Sequence, residues 1–300
     1  MPKANIRGLD IHYEVTGKPD DKPILLISGL GTQLTRYSDT FTEQLASRGF
    51  YVIRMDNRDI GLSGGYEKDG VPSFHKIIAA RVVGARPRVP YTLDHMADDC
   101  AGLLDALGID KAHVAGASMG GMIGQLLAIR HPEKVVSLTS IMSTTGHPSL
   151  PRAKPAAQAV LSQQRSDPVN QREAYLDESV TAAVTIGSPG YPEDADMLRA
   201  RAAADLDRAF RPSGFARQYA AILAAPHRRN ELAKLTIPAL VIHGTDDPLV
   251  TVEGGRDTAA SIPGCDLVEI PGMGHNIPEA LYATVCDAIQ GVAARAYAGS

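Results

Sequence analysis

Two periodicities divide this chain. Near its start, apolar and polar positions alternate in Ile6-Arg7-Gly8-Leu9 and again in Ile11-His12-Tyr13-Glu14-Val15, with Gly8 or Asp10 available to turn a hairpin. Farther on come short, nearly unbroken apolar runs at 24–27, 51–53, 113–115, 135–141, 239–242 and 267–270. Such runs suit strands covered on both faces, and therefore a parallel sheet. Between them apolar residues recur at helical spacing over 41–48, 93–107, 119–131, 254–261 and 278–296. Strand and helix in alternation predict an α/β fold, doubly wound, with helices on both faces of the sheet.

The alternation stops between 143 and 235, where no buried strand is evident. Helical spacing there covers 155–164, 172–186, 195–210 and 215–223, punctuated by Gly187-Ser188-Pro189-Gly190-Tyr191-Pro192. This predicts a helical cap, 143–235, inserted into one core made of 1–142 and 236–300. A second stretch without periodicity, 64–90, is longer than most loops in compact domains and is expected to help line a site.

Composition narrows the function. A chain of 300 residues, 44% hydrophobic and 21% charged, can bury a large core. Its formal net charge of -4 offers no basic footprint for nucleic acid and no polybasic membrane anchor. No apolar run approaches membrane-spanning length and the first residues lack a signal-like apolar core, so the expected address is cytoplasmic. Cys100, Cys265 and Cys286 stand at unrelated spacings that suit neither zinc nor redox pairs, and read as small core hydrophobes.

The candidate chemistry lies at the ends of the apolar runs. Gly116-Ala117-Ser118-Met119-Gly120 is a G-x-S-x-G motif with a strand-like run before it and a helical pattern after it. Its glycines leave room for a sharp turn that lifts Ser118 to a helix N-terminus, where dipole and free amides favour a developing negative charge. A tetrahedral intermediate needs two amide donors. Met119 follows the nucleophile, and Leu30, in the glycine-bearing loop Ser28-Gly29-Leu30-Gly31-Thr32, is the second. Of nine histidines, His275 stands in the loop Pro271-Gly272-Met273-Gly274-His275-Asn276 after the last apolar run, where a base has room to move between Oγ and a leaving group. After the run 239–242, Gly244-Thr245-Asp246-Asp247-Pro248 supplies two carboxylates to orient it, and spacing alone does not choose between them.

These residues resemble the α/β-hydrolase superfamily from about residue 5 to residue 297, most weakly across the cap. Asp56-Asn57-Arg58-Asp59-Ile60-Gly61-Leu62-Ser63 is similar to the family's D-x-R-x-x-G-x-S turn, and the resemblance implies an eight-stranded, mostly parallel sheet. In that family the orienting acid directly precedes proline, which implies Asp247 and leaves Asp246 a turn residue. The segment 52–59, with Glu269-Ile270-Pro271-Gly272-Met273-Gly274-His275, more closely resembles the aclacinomycin methylesterases, which hydrolyse a methyl ester on a polyketide. The chain departs from the family at Ser28, where histidine is frequent, and at Thr251, where proline is frequent. Serine rather than aspartate at the elbow argues against haloalkane dehalogenase or epoxide hydrolase chemistry.

The expectation is a serine esterase with the triad Ser118, Asp247 and His275, acting on a medium or bulky ester. A lactone is the near alternative, and a carbon-carbon bond hydrolase or a receptor without turnover the more distant ones. No metal or organic cofactor is required, and the only partner expected is the small-molecule ester or lactone. Tyr175, Phe210, Phe215 and Tyr219 are candidates for an apolar pocket wall, although their helical spacing fits core packing better.

Overall fold

The computed structural model describes residues 2–163 and 165–297. Eight strands form one sheet: β1 (Lys3–Ile6), β2 (Leu9–Thr16), β3 (Lys22–Ile27), β4 (Phe50–Met55), β5 (Ala112–Ala117), β6 (Val135–Ile141), β7 (Ala239–Gly244) and β8 (Asp266–Ile270). Their order across the sheet is β1-β2-β4-β3-β5-β6-β7-β8. The β1–β2 and β2–β4 pairs are antiparallel, and every pair from β4–β3 onward is parallel. All six expected runs are strands of the parallel part, although β8, at the sheet edge, is not covered as expected and leaves Leu267 exposed. Of the two expected turn residues it is Gly8, with Arg7, that makes the hairpin turn; Asp10 pairs with Asn5 in the ladder, and the first strand runs back from Ile6 to Lys3.

Residues 24–27 show why a buried parallel strand reads as an unbroken apolar run. Leu25 and Ile27 pack on one face of the sheet with Met96, Leu104, Ile123 and Leu127 of α3 (Leu93–Ala106) and α4 (Met119–Arg130). Ile24 and Leu26 pack on the other face with Phe41, Leu45, Val285 and Ile289 of α1 (Asp39–Ala46) and α11 (Tyr282–Arg295). All four strand residues are fully buried, each contributing roughly 1.5–3 kcal/mol of burial. Cys100 and Cys286 are buried as expected, while Cys265 is only half-buried.

Between β6 and β7 the chain forms α5 (Pro155–Ser162), α6 (Arg172–Ile186), α7 (Ala195–Arg208), α8 (Pro212–Ala224) and the short α9 (Arg229–Leu232), the last of which had no signal in the spacing. The expected end of α5 at Gln164 lies outside the described residues. The two ends of this insertion meet. The Arg228 amide donates to the Thr145 carbonyl at 3.0 Å, and its guanidinium donates to the Thr144 carbonyl at 2.7 Å and to Gln125 Oε1 at 2.9 Å.

The stretch 64–90 is not wholly irregular, because α2 (Phe74–Val82) lies within it. Only Ile77 of that helix is buried and its N-cap Ser73 makes no side-chain hydrogen bond, so the apolar spacing of Phe74, Ile77, Ile78 and Val82 marks a helix that the core hardly covers. It braces α8, with Phe74 against Tyr219 at 5.6 Å between ring centroids. The helix α10 (Val252–Ser261) completes the fold. Among the described residues no helix is long and apolar enough to cross a membrane.

Candidate active site

The site is assembled at the carboxyl ends of β3, β5, β7 and β8. Ser118 sits between β5 and α4 with φ 57° and ψ -120°, a left-handed conformation that a serine tolerates only where its surroundings enforce it. Enforcement comes from close packing. A Cβ on Gly116 would stand 2.1 Å from the Gly120 carbonyl oxygen, and one on Gly120 would stand 2.0 Å from that of Ile27. The two outer glycines thus let α4 run against β3 and β5, and the chain between them has no other path.

His275 Nε2 lies 2.9 Å from Ser118 Oγ, and its Nδ1 lies 2.7 Å from Asp247 Oδ2. These distances set the tautomer: Nδ1–H donates to the carboxylate, which leaves Nε2 to accept from the hydroxyl. The other oxygen of Asp247 accepts from the Leu249 and Val250 amides at 2.8 and 2.9 Å. Burial pushes this carboxyl upward, yet the adjacent His275, with hydrogen bonds from His243, His275 and the Val250 amide, holds it well below the usual carboxylate range. It therefore stays ionised beside the imidazole.

Asp246, by contrast, is exposed and accepts from Thr245 Oγ1 and the Gly272 amide, the bonds of a turn residue. The two carboxylates that spacing left equivalent are thus separated by direction. His243 lies near the end of β7. Its fully buried imidazole lies beneath the triad, Nε2 donating to the Val250 carbonyl at 2.7 Å and standing 3.5 Å from Asp247 Oδ2. Its signal in the sequence is a histidine closing an otherwise apolar run four residues before the acid.

The loop 28–32 lies against the nucleophile, since a Cβ on Gly29 would come within 3.3 Å of Ser118 Cβ. Among the described residues neither the Leu30 nor the Met119 amide donates to a protein acceptor. Met119 is the first residue of α4, where helix geometry leaves the amide free and the dipole positive. An imidazole within reach of a hydroxyl, with two free amides beside them, can draw off a proton and hold a new oxyanion.

The insertion grips both catalytic loops, which sequence reasoning missed. The His275 amide donates to the Ile186 carbonyl at 2.7 Å, and the Gly274 amide donates to Ser188 Oγ at 2.9 Å. Gln218 and Phe215 of α8 meet Gly31. The turn 56–63 does more than shape the chain after β4. Asp56 receives Arg208 at 2.8 Å, and Asp59 receives a two-pronged Arg217 at 2.7 and 2.9 Å. The available signal was Arg217-Gln218 inside an otherwise apolar helix. Of the four aromatic candidates, Phe215 meets the loop after β3, Tyr175 and Phe210 pack edge to face, and Phe210 is exposed.

Similarity to known proteins agrees with this fold. The chain is 32% identical over 298 residues to rhodomycin D methylesterase DauP of Streptomyces sp. strain C5, covering 92% of each. It is 29% identical to 3-oxoadipate enol-lactonase 2 of Acinetobacter baylyi over 82% of this chain and 79% of that protein. The enol-lactonase structure from Burkholderia xenovorans LB400 superposes with a TM-score of 0.66 at 24% identity, over 98% of this chain and 99% of that one. The profile of the alpha/beta hydrolase fold matches residues 22–279, and with the elbow, the sheet order and the methylesterase likeness in place, the chain belongs to the alpha/beta hydrolase family.

Proposed function

We propose that this protein is a carboxylic ester hydrolase working through an acyl-enzyme on Ser118. The observation that carries the reading is the continuous relay Asp247–His275–Ser118, with contacts of 2.7 and 2.9 Å. His275 Nε2 takes the Oγ proton as Oγ attacks the acyl carbon, and Asp247 stabilises the imidazolium. The Leu30 and Met119 amides hold the oxyanion; collapse expels an alcohol that receives the proton from His275, and water, activated by the same imidazole, frees the acid. No step asks for a metal or organic cofactor.

The insertion 143–235 serves as a cap over the site and sets substrate size. The likeness to a methylesterase supports an ester on a medium or bulky acid. The enol-lactonase likeness supports a second reading, a cyclic ester opened by the same groups with the alcohol staying attached.

The test is stopped-flow hydrolysis of nitrophenyl esters and of a panel of methyl esters and lactones, with fluorophosphonate labelling followed by mass spectrometry. Wild type should give a nitrophenol burst and a label on Ser118, and Ser118→Ala should lose about 10⁶-fold in kcat. Labelling without turnover of any ester or lactone would favour a ligand receptor and overturn the proposal.

A further inference from the structure

Leu30 and Met119 are held by different means. Met119 needs no help, because the first turn of α4 aims its amide. Leu30 lies in a loop, and a donor that must meet a developing oxyanion has to be fixed before the reaction begins. Its peptide plane is held on the opposite side: the Gly29 carbonyl accepts from Thr32 Oγ1 at 3.1 Å and from the Thr32 amide at 3.4 Å. In a trans peptide that fixes the Leu30 N–H pointing away from Thr32. The next plane along, carrying the Gly31 amide, has no core partner and turns instead to the insertion, donating to Gln218 Oε1 at 2.9 Å.

Gln218 is fully buried, and its other end is committed as well. Nε2 donates to the Arg58 carbonyl at 2.9 Å, so one side-chain amide ties the loop after β3 to the turn after β4. An N–H faces its oxygen and a C=O faces its nitrogen, so only a primary amide of this length satisfies both partners. Gly31 has φ +66°, and a Cβ there would come within 2.5 Å of the Phe215 ring, which lies one helical turn before Gln218. Gln33, at the end of the loop, is drawn the same way, donating to the Asp205 and Ala209 carbonyls at 2.6 and 3.2 Å.

We infer that Gln218 is a positioning residue for the oxyanion hole: through the Gly31 amide it holds the loop so that the Leu30 N–H is aimed at the acyl oxygen. The inference rests on the esterase reading. It makes the insertion part of the catalytic apparatus as well as a wall for substrate, because the second oxyanion donor is in register only when α8 is docked. Loss of a whole oxyanion donor costs about 100- to 1000-fold in rate, and a donor that is present but poorly held should cost less.

The decisive variant is Gln218→Met, similar in size and unable to bond either partner. The expected result is a fall in kcat of about 10- to 100-fold on a nitrophenyl ester, with KM within about threefold. Affinity for a trifluoromethyl ketone should fall in parallel, since its tetrahedral adduct on Ser118 uses the same amides. Gln218→Asn, polar but one methylene too short to span both partners, carries the same expectation if the methionine variant does not fold.

Arg211→Ala removes an insertion-to-core ion pair, Arg211 with Glu67 at 3.0 Å, that does not touch the loop, and should leave kcat within about twofold. Unchanged kcat in the Gln218 variants, undiminished trifluoromethyl ketone affinity, or an equal loss in Arg211→Ala would overturn the inference. Wild-type turnover that Ser118→Ala abolishes keeps the esterase reading standing whatever Gln218 does, so the two fail separately.

Discussion

The loops at the carboxyl edge of the sheet and the insertion 143–235 reach the same site by opposite routes. In the loops Ser118 is set by Gly116 and Gly120 and Asp247 by the Leu249 and Val250 amides, while His275 leans as well on the distant Ile186 carbonyl. In the insertion the groups that matter act across more than a hundred residues of sequence. Arg217 reaches Asp59, Arg208 reaches Asp56 and Gln218 reaches Gly31. Chemistry is thus written locally, and the alignment of that chemistry is written at long range.

The largest test of this contrast compares two adjacent carboxylates. Asp247→Asn should lower kcat by about 10⁴-fold while the fold persists, because the amide favours the wrong tautomer of His275. Asp246→Asn should stay within a few-fold, since an amide oxygen can still accept the two turn bonds from Thr245 and Gly272. Steady-state kinetics on one ester settles both. Equal losses would show that the pair acts jointly and that direction does not separate them.

A smaller effect, on stability rather than turnover, is expected at the long-range seam. The Arg217 and Asp59 side chains are 1% and 0% exposed, and Arg217→Met leaves a buried carboxylate unpaired, which should cost about 3–5 kcal/mol. Urea unfolding measures it. A change below about 1 kcal/mol would mean that the insertion is held by its apolar contacts and that its arginines are incidental.

The least of the three concerns acid. Burial on β5, with the nearby charge of Lys22, lowers His113 to about 4. Between about pH 6.5 and that value the unfolded chain binds a proton that the folded imidazole refuses. Stability should therefore fall as pH is lowered across this window and gain nothing further from His113 above it. Asp247, held low in the fold, adds its own loss only below the ordinary carboxylate range, where the unfolded chain takes up a proton that the folded carboxylate still refuses. Thermal melts from pH 7 to 4 should show a shallower slope in His113→Leu, and an unchanged slope would place the acid sensitivity elsewhere.

Much of this was legible beforehand because the signals are short. The six apolar runs are the parallel strands, and the elbow, the loop 28–32 and the loop 271–276 meet where strand ends must meet. The Asp246–Asp247 ambiguity was real at the level of spacing; the family resemblance pointed to Asp247, and direction gives the physical reason, since one carboxylate faces the interior and the other faces water. The helix α2 was missed although Phe74, Ile77, Ile78 and Val82 fall at helical spacing, because the run is short and lies between glycines and prolines that read as loop. Gln218 escaped for a different reason. A glutamine within a helix is ordinary, and its importance comes from two backbone groups contributed by loops far away in the chain.

The adjoining ends of the insertion have one more consequence. Because Arg228 joins the departing and returning strands of chain at Thr144 and Thr145, everything between them is grafted onto the sheet through a narrow stalk. Evolution can exchange or lengthen such a cassette at small entropic cost to the host, so a lineage is free to change what it digests while its cutting edge is inherited intact. On the inference drawn for Gln218, the limit on that freedom is that a replacement has to bring its own partner for the Gly31 amide.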